Sequence, residues 1–292
     1  MTHERLPHDP AYKQFFSNSE MVESLLKDFV SEDFVKDLDF STLERCSGSY
    51  VTDELRERHD DIIWRVGWKE RSWCYVVLLL EFQSTPDPWM ALRVLSYTSL
   101  LLLDLVKTGK VKEGEGLPPV LPIVIYNGNR IWKAPQEVAE LFAPMPPSLK
   151  AYRPTQRHFL LDESQLTVDT DQENTGLANY LFQLEQAENI EQIRPIIKNL
   201  IVRLQEPKYL QLRRAFTVWL NRVVFKRAEL DDNLPEFQDL QEVDAMLEER
   251  ATQWKEQYIQ QGVVMGRAEG MNLGRAEGIN LGRAEGINLG RA

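Results

Sequence analysis

Cysteine, histidine and long apolar runs are what this chain has least of. Cys46 and Cys74 are its two cysteines, too few for a disulfide framework, and no CxxC occurs. Four scattered histidines leave no set of ligands at zinc spacing. No apolar stretch reaches the length of a bilayer span, and even Ser99–Val106 is broken by Asp104. The opening MTHERLPHDP lacks the apolar centre of a signal peptide. These absences set the expectation of a protein outside the membrane, in the reducing cytoplasm. Positive charge is also short, with 34 Lys and Arg against 45 Asp and Glu and a net charge of −11. That balance argues against a protein whose main task is to coat nucleic acid. GxGxxG, P-loop and HExxH patterns are absent. Ser84 and Thr85 have no histidine placed to activate them, which argues against serine chemistry.

What is present centres on Tyr75–Ser84, YVVLLLEFQS. An unbroken apolar run closed by polar residues reads as a strand buried on both faces. In α/β proteins the end of such a strand is where the chemistry sits. Glu81 and Gln83 are two apart and share a side of the strand. Upstream, HDDIIWRVGW alternates as a strand, and KERS after Gly67 reads as a hairpin turn. Antiparallel pairing then brings the start of the first strand, with Asp61 (and Asp60 on the other face), beside the end of the second. Downstream, Asp87 caps and Pro88 opens a largely buried helix. Arg93 and Tyr97, four apart, share one face near its start.

The remaining elements follow from pattern. HDPAYKQFFSNSEMVESLLKDFV predicts two helices broken at SNS, and Ser31–Gly48 a connection with one short helix. VLPIVIY predicts a second buried strand, with Pro122 at a bulge or an edge position. Ala134–Phe142 reads as a short helix and RHFLLDES as a further strand. After about residue 170 strand signals cease. Three amphipathic helices and, after an acidic linker, a fourth follow. The expected organisation is therefore an α/β core over 1–170, a helical region over 171–261, and a repeat tail over 262–292. Between Glu191 and Arg227 nine basic residues face two acidic ones, so a basic helical face can meet phosphates, or can simply be solvated.

The tail is an internal repeat, GRAEGMNL, GRAEGINL, GRAEGINL, GRA, with Gly at every fourth position from Gly262 to Gly290. Each glycine costs a helix about 1 kcal/mol against Ala. The expectation is a marginal tail without fixed structure, or a helix paired with another chain. Self-association through the helical region or the tail is left open.

Asp61, Glu81 and Gln83 thus converge. Two neighbouring carboxylates repel unless a cation or proton lies between them. Oxygen ligands suit Mg²⁺ or Mn²⁺, which polarise a phosphoryl oxygen and acidify a bound water. Arg93 and the helix start would add positive field, and Tyr97 a hydrogen bond. The bland alternatives are a solvated Asp61 and a Glu81–Arg93 ion pair.

The pieces HDPAYKQFF, RHDDIIWRV, LLLEFQSTPDPWMALRVLSY and LPPVLPIVIYNG, in this order, resemble the bacterial recombination-promoting nucleases, a YhgA-like family labelled transposases and placed in the PD-(D/E)xK superfamily. The resemblance covers roughly residues 7–130. It implies a restriction-endonuclease-like core, with a mixed sheet flanked by helices, and Mg²⁺-dependent cleavage of DNA linked to recombination or mobile elements. It implies Asp61 and Glu81 as metal ligands and catalytic residues, and Gln83 in the position usually held by Lys. A neutral amide neither acts as a base nor supplies charge, so activity would be weaker or more conditional. Two alternatives stand beside the nuclease reading. One is a catalytically weak nuclease fold that binds DNA or a partner protein. The other is an assembly protein with no nucleic-acid role.

Overall fold

A computed structural model describes residues 9–46, 62–68, 72–81, 85–128, 130–168, 176–225 and 236–289. The apolar run at 75–80 lies in the central strand of a five-stranded mixed sheet in the order β1-β2-β3-β4-β5. Helix α1 (Asp9–Phe15) and helix α2 (Ser19–Phe29) come first. A 3-10 turn at Asp33–Asp37 leads into β1 (Leu38–Arg45). β2 (Ile62–Trp68) and β3 (Ser72–Glu81) follow, each antiparallel to its predecessor. Helix α3 (Met90–Lys107) carries the chain across to β4 (Val120–Tyr126), parallel to β3. β5 (Phe159–Asp162) is parallel to β4 at the far edge.

The two predicted helices around SNS, the hairpin and the two later strands are present. β1 is the strand that the pattern of Ser31–Gly48 did not reveal. It is an edge strand with only Leu38 buried and most of its residues partly or fully exposed, so no apolar alternation marks it. Pro122 is accommodated as an edge: it pairs with Val77 of β3, and the β5 ladder begins one residue later, at Ile123. Of the helix expected over Ala134–Phe142, one 3-10 turn forms at Val138–Leu141. Before it, Glu137 makes an isolated bridge to Arg157.

The sheet's two faces differ in depth. On one, α3 covers Tyr75, Val124 and Tyr126 through Met90, Val94, Tyr97 and Leu101, with Trp132 beside them. The other carries α1, α2 and the later helices α4 (Leu177–Gln186), α5 (Ile190–Arg203) and α6 (Leu210–Trp219, extended by a π-helical turn at Leu220–Val224). One apolar core runs through all of these and crosses the 170/171 division. The crossing is capped: Ser24 of α2 donates to Asp28, and the same hydroxyl accepts the Ala178 amide at the start of α4, 2.8 Å each. A Cβ on Gly176 would collide with Asp28 and Ser24, so the helix start can approach α2 only as glycine.

The last element, α7 (Leu240–Leu289), is one helix of 50 residues, about 75 Å long. It corrects two expectations, a fourth helix ending at Gly262 and a tail that no isolated helix would hold. Most residues between the glycines are Arg, Ala, Glu, Leu and Met, strong helix formers, with Asn, Ile and Val as the weaker members. The helix is also nucleated elsewhere, where Leu240, Val243 and Leu247 are buried against the core, and propagation from a packed turn is cheap. The acidic start of α7 takes up part of the basic helical face. Arg194 of α5 lies 3.8 Å from Asp244 and 2.7 Å from Glu248. Lys208 pairs with Glu206, and Arg213 donates to the Leu204 carbonyl. No helix among the described residues is long and apolar enough to cross a membrane.

Candidate active site

The C-terminal ends of the three parallel strands form one edge. In register, Glu81 pairs with Tyr126, and Tyr126 with Asp162. On the other side of β3, Ile62 pairs with Leu78, so β2 begins beside the end of β3, as the hairpin predicts. Asp61 and Gln83 lie outside the described residues. For Glu81 the backbone is described, as the last residue of β3.

Arg93 and Tyr97 are both on α3. Arg93 Nη1 donates to Asp87 Oδ2 at 2.9 Å, with both side chains mostly buried. Asp87 Oδ1 accepts the Trp89 amide at 2.8 Å. Asp87 therefore caps from the turn before the helix and holds Arg93 with its second oxygen. Helix α3 itself starts at Met90 rather than at Pro88. Tyr97 is buried in the layer between α3 and the sheet, with Tyr126 and Trp132. Tyr126 packs edge-on to Trp132, with ring centroids 5.0 Å apart. Gly128 leaves room for this ring, because a Cβ there would collide with the Tyr126 hydroxyl.

The edge also holds polar groups that the sequence reading did not single out. Asp162 accepts from the Trp132 amide with one oxygen and from the amide and hydroxyl of Ser164 with the other, at 2.7–3.1 Å. Glu163, almost fully buried, accepts the Tyr12 hydroxyl at 2.8 Å and the Asn127 amide at 2.5 Å. Tyr12 also donates to Glu185 at 3.2 Å. Burial, then the nearby Glu163 and Glu185 carboxylates, push the Tyr12 phenol well above its ordinary value, so it stays a donor. A signal for this cluster exists: LLDES closes an apolar strand with carboxylates just as LLLEFQS does.

His158, just before β5, is 1% exposed, and among the described residues neither ring nitrogen has a hydrogen-bond partner. Burial, with Arg157 adding to it and Glu137 opposing, pushes its pKa down to about 4. Both cysteines are free and buried, and burial pushes the Cys74 thiol up to about 11. Among the described residues no group of three or more His, Cys, Asp or Glu could hold a metal ion.

The model of a family described as "Putative transposase, YhgA-like" matches residues 6–211. A 124-residue stretch is 29% identical to recombination-promoting nuclease RpnD of Escherichia coli O157:H7, covering 42% of this chain and 46% of that protein. Recombination-promoting nuclease RpnA of Escherichia coli K12 is 29% identical over 122 residues, 42% of this chain and 40% of that protein. A shorter relative from the same strain, named "Putative inactive recombination-promoting nuclease-like protein YjiP", is 29% identical over 96 residues, 33% of this chain and 92% of its own length. The matched stretches thus span less than half of RpnD and of RpnA. No solved structure matches.

Proposed function

This chain belongs to the YhgA-like family, and on that premise we propose that it is a metal-dependent DNA endonuclease that acts in recombination. The observation that carries the reading is the sheet edge. Glu81 ends β3, and β2 begins opposite Leu78 with Asp61 one residue upstream of Ile62. The relatives' names, recombination-promoting nuclease, supply the substrate class.

Asp61 and Glu81 are a pair of hard oxygen donors, which suits Mg²⁺ or Mn²⁺. When bound, such an ion supplies Lewis acidity toward a phosphoryl oxygen and toward water. Gln83 holds the attacking water by hydrogen bonds, since an amide takes no proton. Tyr97 borders this edge from within the α3 layer. Arg93 stiffens the turn before α3 through Asp87. The fold of this core is of the PD-(D/E)xK kind. A weakly catalytic DNA-binding module is the second reading, favoured by Gln83 and by the relative named inactive.

Plasmid nicking in Mg²⁺ separates the two. The native protein should nick, and Asp61→Ala and Glu81→Ala should each fall by at least about 10²-fold, the scale of removing one charge-stabilising group. Equal nicking by all three would refute the site. Binding of DNA without nicking by the native protein would establish the second reading.

A further inference from the structure

Helix α3 is apolar on its outer face as well as its inner one. Its 18 residues carry three charges, Arg93, Asp104 and Lys107. A helix apolar all round is normally buried all round. The inner face is buried, with Met90, Val94, Tyr97 and Leu101 on the sheet. The outer face is not. Trp89, Leu92, Leu103 and Val106 are 58%, 48%, 65% and 50% exposed, and Ser96 and Ser99 between them are exposed as well. No element among the described residues buries them.

These six positions follow one another at steps of three and four in alternation, the spacing of a seam between two helices. Trp89 keeps the helical register, because its carbonyl accepts the Leu92 and Arg93 amides. Along the seam the order is two apolar residues, two serines, two apolar residues, which reads the same from either end. Laid antiparallel on a copy of itself, the stripe sets Trp89 against Val106, Leu92 against Leu103 and Ser96 against Ser99. The serines let the two backbones approach at the centre, since the interaxial distance follows the side chains at the contact. The Ser99 hydroxyl donates to the Leu95 carbonyl at 2.7 Å, so it enters a dry contact already satisfied. The same arrangement puts the positive start of each helix beside the negative end of the other. Helix α7 offers no matching seam: its exposed Ile259, Val263, Val264, Met265, Met271 and Leu273 point all round its axis.

We propose that the outer face of α3 pairs antiparallel with the same face of a second copy of this chain, with Ser96 and Ser99 at the two-fold axis. A patch that complements itself is what an isologous dimer requires, and an unrelated partner would not need that symmetry. The pairing is independent of the chemistry at the sheet edge, and it lies apart from the helical region and the repeat. The helix is about 27 Å long. One helix pair of this length falls short of the standard interface of about 1,600 Å², so the expected dissociation constant is micromolar.

The test is sedimentation equilibrium of the full chain from about 1 to about 100 µM, with far-UV circular dichroism as the check on folding. The native protein should pass from one chain to two over this range. Leu103→Glu should weaken association at least about thirtyfold, the scale of losing one buried anchor. Adding Leu92→Lys should restore at least about tenfold of it, because each lysine then faces the glutamate of the other copy. Within one chain the two positions are about 16 Å apart along the helix and cannot pair. If Leu103→Glu loses its helical signal, Ser96→Arg at the axis takes its place and should weaken association in the same way. A native monomer throughout overturns the proposal, and pelleting of that monomer with phosphatidylcholine vesicles would give the stripe to a membrane surface instead. A dimer that survives these substitutions but dissociates in Val263→Glu with Met271→Glu assigns the contact to α7 and overturns it too. A dimer broken by Leu103→Glu and not restored by Leu92→Lys refutes the antiparallel pairing.

Discussion

Leu240, Val243 and Leu247 near the start of α7 are buried, whereas Val263, Met265, Met271 and Leu273 further along the same helix are exposed. The first group closes on α5, whose Arg194 adds ion pairs to Asp244 and Glu248. Among the described residues the second group has nothing to close on: a Cβ built on Gly262, Gly266, Gly270, Gly274 or Gly278 would meet no atom within 4 Å. One backbone geometry is thus held up in two ways. In the packed turns, burial of apolar surface decides, at about 25 cal/mol per Å². Among the described residues of the repeat intrinsic propensity is what acts, and glycine opposes it. Core substitutions should therefore move the stability of the whole protein, and repeat substitutions only that of the helix they sit in.

The largest expected effect is in the packed layer. Phe216 is fully buried and packs at a tilt on Phe15 of α1. Phe216→Ala should lower the unfolding free energy by about 3–5 kcal/mol in denaturant titration. A loss below about 1 kcal/mol would mean that α6 is not part of the sheet's core.

Next comes acid. His158 has a folded pKa of about 4, below its ordinary unfolded value of about 6.5. Between those values the unfolded chain binds the proton and the folded chain does not, so stability rises with pH. The full contribution is present above about pH 6.5 and is lost as pH falls toward 4. From pH 7 to pH 5 this group should cost about 1–2 kcal/mol, and His158→Phe should flatten that part of the curve. An unchanged slope in the variant would place the acid sensitivity elsewhere.

The smallest effect on the whole molecule is expected in the repeat. Gly270→Ala with Gly274→Ala should favour the local helix by about 1 kcal/mol each. Slower amide exchange around residues 266–278 should report it, with no shift in the global thermal midpoint. A raised midpoint would join the repeat to the core and erase the contrast between the two parts of α7.

Much of the core was legible because its signals are local. YVVLLLE and VLPIVIY read as buried strands by composition, and the helices around SNS by spacing and capping. The hairpin that aligns Ile62 with Leu78 was legible from the break at Gly67 and the charged residues after it. β1 was not, because an edge strand with one buried residue leaves no periodic trace. The polar cluster of Tyr12, Asn127 and Glu163 was not either. Its members come from three distant segments, and only packing shows that each satisfies the others. Arg93 was assigned to the site from its place on the helix, and the turn geometry then gave it Asp87 as a partner.

Sequence by itself determined the kinds of element, the apolar strands that end in carboxylates, and the repeat with its glycine every four residues. These depend on side-chain type and short spacing, which local physics reads directly. The tertiary structure decided the parallel register that sets Glu81, Tyr126 and Asp162 in one row, and the packing of α1 against β3. It also decided that α4, α5 and α6 share the core of the sheet. Those outcomes depend on which distant surfaces bury one another and which buried polar atoms find partners, and neither is a property of any short stretch of chain.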